Sequence, residues 1–261
     1  MKGKITVILN GYKRGNQLSE QLDALNKGTV KPSEILLWYN NPGDDNLINY
    51  DIMSTIPTAL CNYNFGVWAR FAFAFNAQNE YVCIFDDDTI PGKRWLENCI
   101  ETMKTNEGLL GSVGLLYLNP LSPEYSSYYE HYLRFGWPEN GNNDIPIQVD
   151  LVGHSWFFKK EWLSHMWREI PNPKYNTCGE DMHFSYMLQK YANIPTYVPP
   201  HPKSDKELWG SIKGAEYGGD QNSLWETNQL GIDGTPFKQL MNEYFVNQRK
   251  KGWKLINENE K

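Results

Sequence analysis

Three consecutive carboxylates, Asp86-Asp87-Asp88, stand at the end of a short apolar run, Tyr81-Val82-Cys83-Ile84-Phe85, and lead into Thr89-Ile90-Pro91-Gly92. Adjacent like charges repel, so the triplet costs stability unless a positive partner sits among them. Hard divalent cations prefer carboxylate oxygens and hold phosphates by bridging to them. On a pleated strand side chains 86 and 88 point the same way. One carboxylate could then take a metal while another bonds a ribose hydroxyl. A solvated acidic turn is the alternative, but the end of a buried strand is a poor place for one. A second pair, Glu180-Asp181, follows Cys178-Gly179 and opens a predicted helix. The helix dipole and its free N–H groups favour the anionic form there. A carboxylate held ionised at that point could remove a proton from a hydroxyl. Taken alone, the pair also reads as an ordinary acidic first turn.

The elements around these residues alternate. Ile5 to Leu9 reads as a strand buried on both faces, Asn10 to Gly15 as a loop, and Leu18, Leu22 and Leu25 as one face of a helix with Asn16 as its N-cap. Glu34 to Tyr39 is a second strand, closed by Asn40-Asn41-Pro42-Gly43. Val67 to Ala77 reads as a buried helix and Tyr81 to Phe85 as the next strand. This alternation predicts an α/β fold with a mostly parallel, Rossmann-like central sheet flanked by helices. Ligands of such sheets sit at the carboxyl ends of the strands, where the triplet lies. Further along, 93–104 reads as a helix, 111–118 as a strand, 119–146 as loop, and 147–152 with 156–158 as strand. The segments 160–168, 179–191 and 236–251 read as helices, 195–198 as a short strand, and 199–234 as irregular. The rear strands suggest a smaller mixed sheet. The whole of 1–261 is expected to be one domain, with a nucleotide-binding half (1–118), an acceptor and catalytic half (119–235) and a C-terminal helix (236–261).

Composition excludes several classes. A formal net charge of −6 argues against non-specific nucleic-acid binding, and no Lys/Arg-rich run offers a membrane-surface patch. Four cysteines at no CxxC spacing, without a His cluster, argue against zinc and read as free thiols. No apolar run approaches the ~20 residues of a membrane span. The expected location is cytoplasmic, with peripheral attachment to a membrane left open. Aromatic residues are abundant at 14%, which fits core packing, sugar-stacking surfaces or both. Tyr128, Tyr129, Tyr132, Phe135 and Trp137 are the densest stretch.

Taken in order, "VILNGYKR" after strand 1, "FDDD" and "GED" resemble the GT-A class of nucleotide-sugar-dependent glycosyltransferases, over residues 4–200. The pattern is most similar to the family 2 inverting enzymes. Asp86 to Thr89, Leu37-Trp38-Tyr39-Asn40-Asn41, the Gly153-to-Phe158 strand and Glu180-Asp181 also resemble the exostosin-type family 64 domains, which are retaining. The resemblance implies Mn²⁺ or Mg²⁺ held by Asp88 as principal ligand, with Asp86 and Asp87 on the ribose or reaching the metal through water, and a late histidine, His201, as an added ligand. It implies Asn10, Tyr12 and Arg14 lining the nucleotide pocket, Asn40 and Asn41 near the base, and Asn64 and Arg70 bracketing the diphosphate. Asp181 would be the base, Glu180 would contact a sugar, and His154 and Trp156 would border the acceptor. The donor would be a nucleotide sugar, UDP by analogy, and the acceptor a glycan, lipid-linked or protein-linked hydroxyl. Trp209 with Gly210 to Gly219 could form a lid. Three rival readings stay in view: a haloacid-dehalogenase-like phosphatase, though Ile90 stands where that motif wants Thr or Val; a nucleotidyltransferase, though 10–15 lacks its glycine density; and a non-catalytic sugar-binding module.

Overall fold

The structure, a computed structural model, describes residues 4–137 and 140–258. Parts of two expected segments, 138–139 of the long loop and 259–261 of the C-terminal segment, lie outside the described residues, as do 1–3. The strands are β1 (Ile5–Gly11), β2 (Glu34–Tyr39), β3 (Thr58–Leu60), β4 (Tyr81–Phe85), β5 (Leu109–Tyr117), β6 (Tyr132–Phe135), β7 (Ile147–Gln148), β8 (Leu151–Lys159) and β9 (Thr196–Val198). They form one sheet in the order β3-β2-β1-β4-β8-β5-β9-β7, with β6 beside β5. β1 to β4 are mutually parallel where they pair. β8 then enters antiparallel to both β4 and β5, and β9 pairs parallel with β5. The rear strands thus continue the front sheet and make it mixed.

The helices are α1 (Gln17–Lys27), α2 (Tyr50–Met53), α3 (Ala69–Phe73), α4 (Trp95–Thr105), α5 (Leu163–Met166), α6 (Glu180–Ala192), α7 (Ala215–Gly218), α8 (Leu224–Thr227) and α9 (Phe237–Lys250). β4 reads as an unbroken apolar run, and β1 as a nearly continuous one interrupted by Thr6, because both faces are covered. Ile5, Val7, Ile8 and Leu9 and all of Val82 to Phe85 are almost wholly buried. Four tryptophans, Trp95, Trp156, Trp209 and Trp253, are equally enclosed, so much of the aromatic excess is core.

The departures from the expected elements have local causes. β1 runs two residues further than Leu9, carrying Asn10 onto the strand end. Asn16 precedes α1 in helical backbone and its side chain caps nothing. The expected helix 67–77 is only α3 followed by a 3-10 turn at Ala74–Asn76. Within 119–146, β6 adds a four-residue edge strand whose mixed burial gives no clean alternation. In the front half the order runs 3-2-1-4, so the strand order reverses between β1 and β4. A crevice forms at such a reversal, beyond the carboxyl ends of the strands.

Candidate active site

A cavity of about 290 Å³ opens there, lined by residues after β1, β2 and β4, from β8 and from the start of α6. The acidic triplet leaves β4 into it, and two arginines supply the positive charge. Arg70, on α3, is buried and places Nη1 2.6 Å from Asp86 and Nη2 2.9 Å from Glu180. Its guanidinium lies against the Trp156 ring, 4.9 Å from the centroid. Arg14, in the loop after β1, holds Asp87 at 2.8 Å and reaches Asp88 at 3.4 Å. Its other edge makes a two-point contact with Asp220, Nε to Oδ2 at 3.0 Å and Nη2 to Oδ1 at 2.6 Å. Such forked pairs are strong and directional. Gln21 braces the turn from below: its Nε2 donates to the Asp86 and Thr89 carbonyls at 2.7 and 2.9 Å.

His154 reaches the triplet through a defect in β8. Residues Gly111 and Val113 of β5 face Trp156 and Gly153, so His154 and Ser155 together oppose the single Ser112. That extra residue is a β-bulge, a device that re-aims a side chain. His154 sits at φ +64, in the left-handed region, and its carbonyl accepts from the Asp86 N–H at 3.0 Å. Few non-glycine residues adopt that backbone, and those that do cluster at functional sites and turns. Ligand atoms of Asp86, Asp88 and His154 all come within 4.8 Å of one another. Two carboxylates and an imidazole so placed fit a divalent cation.

Glu180 and Asp181 open α6 after Gly179, which takes φ +90. A Cβ on Gly179 would stand 2.7 Å from the Tyr244 ring, so only glycine lets the chain turn into the helix here. Burial pushes Glu180 up to about 8, with Arg70 opposing and Asp181 and Asp86 adding to the rise. Burial also raises Asp181, to about 6, against the Met182 N–H that donates to it at 2.7 Å. Burial thus raises both carboxyls, while the Arg70 guanidinium opposes the rise on Glu180 and the Met182 N–H opposes it on Asp181.

On the other wall Asn40 donates to Asn64 at 2.7 Å and accepts from the Phe65 N–H, and Asn64 donates to the Tyr12 hydroxyl at 3.1 Å. Asn10, Tyr12, Asn40 and Asn64 all line the cavity. Among the described residues, two enclosed polar atoms of this lining lack a partner, Arg70 Nε and Thr177 Oγ1. A polar ligand would satisfy them.

Several expected placements differ. Asn41 turns away and its Oδ1 accepts from the Gly43 N–H at 2.6 Å. His201 is not brought to the triplet. It is buried against Trp95, its Nε2 accepts from the Gly210 N–H at 2.9 Å, and Nδ1 lies 2.8 Å from the Pro199 carbonyl. Both nitrogens are committed to backbone, and burial lowers its pKa to about 4. Trp156 backs Arg70 and donates to the Val152 carbonyl from the core, so it supports the cavity from behind. The suggested lid is fixed at its base: Trp209 is buried, and a Cβ on Gly210 would meet Ser112 at 2.2 Å. Gln21, Thr177, Asp220 and Trp225 also belong to the site, though no sequence motif marks them. Only Gln21 left a signal, a polar side chain on the buried Leu18/Leu25 face of α1.

A second cavity, about 280 Å³, adjoins the first. Tyr128, Tyr132, Trp137 and Trp225 give it aromatic walls, and Arg134 lies among them. Tyr129 and Phe135 do not line it. Asp88, His154 and Asp181 line both cavities.

Residues 62–167 match the family described as Glycosyl transferase family 2. No curated protein matches the chain by sequence. Among solved structures, GalNAc-T7 with UDP, GalNAc and Mn²⁺ is similar at 11% identity over 76% of this chain and 43% of that one, with a TM-score of 0.57. S. aureus TarS is similar at 15% identity over 77% of this chain and 37% of that one, with a TM-score of 0.50. The chain therefore spans less than half the length of either. These likenesses carry the GT-A fold, and the family 2 match covers the triplet, β5 and β8. A segment matching family 2 thus lies within a sheet of GT-A fold.

Proposed function

We propose that the protein transfers a sugar from a nucleoside-diphosphate donor, in the first instance a UDP-sugar, to a hydroxyl of a glycan, lipid-linked or protein-linked acceptor, with inversion at the anomeric carbon. The observation that carries this reading is the shared wall. Asp88, His154 and Asp181 stand where the two cavities meet, so a donor in one and an acceptor in the other would react there.

Asp86, Asp88 and His154 would hold a divalent cation. Among the described residues, six acidic side chains around the first cavity, Asp86, Asp87, Asp88, Glu180, Asp181 and Asp220, face two arginines, Arg14 and Arg70. An imidazole among the ligands favours Mn²⁺ over Mg²⁺, which prefers an all-oxygen, water-rich shell. Bound there, the cation would supply charge neutralisation for the departing diphosphate. The protein's own groups do the rest. Thr177 and Arg70 line the first cavity, where the donor would sit. Asp181 takes the proton of the acceptor hydroxyl as its oxygen bonds to the anomeric carbon. The bond from that carbon to the diphosphate oxygen breaks, its electron pair leaves with the nucleoside diphosphate, and a glycoside is released.

A panel of nucleotide sugars with Mn²⁺ tests the reading. One UDP-sugar should be hydrolysed slowly without acceptor, and chelator should stop it. Activity undiminished in chelator counts against the metal assignment, and release of phosphate from simple esters supports the phosphatase reading instead. The anomeric configuration of the transfer product, read by NMR, decides inversion. His154→Gly should weaken Mn²⁺ binding by at least about tenfold through loss of one ligand. It should not lower thermal stability, because glycine accepts the left-handed backbone more readily than histidine. Unchanged Mn²⁺ affinity in that variant would remove His154 from the ligand set.

A further inference from the structure

We propose that the acceptor is an anionic saccharide, carrying a carboxylate or a phosphate, and that Arg134 selects it. The inference rests on the reading of the second cavity as the acceptor site. Of the six arginines, Arg14, Arg70, Arg94 and Arg249 each hold a carboxylate, and Arg168 lies over the Tyr191 ring and lines neither cavity. Arg134 has no ion-pair partner among the described residues, and it is the one cationic side chain among the second cavity's described lining residues. Its guanidinium stacks on Trp137, 5.1 Å from the ring centroid, and Trp137 in turn packs edge-on against His154, with centroids 5.3 Å apart. Stacking fixes the plane of the fork and leaves its edge donors free for a planar carboxylate or a phosphate. The neighbouring Tyr128, Tyr132 and Trp225 give flat apolar surface suited to the C–H face of a sugar ring.

Charge also sets the orientation. Asp181 and Asp88 belong to the wall shared with the first cavity, whereas Arg134 belongs only to the second. The second cavity also carries Glu226, so a negative group on the acceptor is repelled from Asp88, Asp181 and Glu226 and drawn to Arg134 as the one cation among the described lining residues. The saccharide is thus turned so that a hydroxyl remains for Asp181. A neutral sugar would gain the stacking but lack this alignment, and an amino sugar would be drawn toward the base.

The test uses matched pairs with the full chain in the presence of UDP and Mn²⁺: methyl glucuronide against methyl glucoside, methyl galacturonide against methyl galactoside, and glucose 6-phosphate against glucose. Calorimetry or saturation-transfer NMR reads binding. The acidic member of at least one pair should bind more tightly by about threefold or more, as expected for a charge-assisted pair at an exposed guanidinium. Arg134→Gln should erase that preference, Arg134→Lys should restore part of it, and both should bind UDP with Mn²⁺ as the unaltered protein does. Equal or stronger binding of every neutral member, no binding of any acidic member, or a preference that survives Arg134→Gln would overturn the assignment. Intact UDP and Mn²⁺ binding alongside such a result leaves the donor reading standing. Absence of UDP binding in the unaltered protein removes both.

Discussion

Asp181→Asn should lower kcat by on the order of 10³-fold while leaving donor binding within a few-fold of the unaltered protein. Asn keeps the size and the contact with the Met182 N–H but cannot accept a proton, and a positioned general base is worth roughly 10²–10⁴. The pH profile gives a second signature. Burial raises Asp181 to about 6, so kcat/KM should fall as pH drops through that value, with the slope of one proton, and Asp181→Asn should abolish this limb. Stability should move the opposite way. The folded protein binds the Asp181 proton more tightly than the unfolded chain does, so ionising it costs stability as pH rises from about 4 toward 6. Asp181→Asn should therefore melt higher than the unaltered protein at pH 7.5 and at about the same temperature at pH 4. Steady-state kinetics and thermal melts across pH check both. A variant with full kcat, or with the acid limb intact, assigns the base elsewhere.

Asp88→Ala should abolish metal dependence and transfer together, a loss of 10³-fold or more, because metal-assisted stabilisation of a leaving diphosphate supplies several kcal/mol. The substitution also frees part of the Arg14 fork, which lies 3.4 Å from Asp88 while holding Asp87 and Asp220. The fold should survive, since Asp88 lies beyond the end of β4 and outside its ladder. Far-UV circular dichroism checks the fold, and Mn²⁺ titration with transfer assays checks the chemistry. Retained Mn²⁺-stimulated transfer in this variant would contradict the assignment.

Much of the front half was legible because burial on both faces leaves its mark in the chain. β2 and β4 fall where the apolar runs of 34–39 and 81–85 place them. Local rules carried the carboxylates too: a triplet after a buried strand and an acidic pair opening a helix both arrive at one crevice. Long-range chemistry was not legible. Asp220 meets Arg14 across a sequence separation of 206, and nothing within 199–234 distinguishes it from any loop aspartate. The resemblance puts His154 on the acceptor side, and it does line the second cavity. Its approach to Asp86 and Asp88 depends on a bulge, which one extra residue on β8 creates and no periodicity announces. His201, between prolines, read as a free ligand, whereas the fold spends both nitrogens on backbone groups. Trp156 stood among aromatics that could face sugar or core, and only the sheet register turns it under Arg70.

The central claim is that Asp86, Asp88 and His154 hold a cation through which the donor diphosphate is bound. Calorimetric titration of UDP, GDP, ADP and CDP, each with Mn²⁺ and again in chelator, tests it most directly. At least one nucleotide, UDP first, should bind only when Mn²⁺ is present, and that binding should vanish in Asp88→Ala. Equal affinity with and without the metal, or full metal-linked affinity in Asp88→Ala, would contradict it.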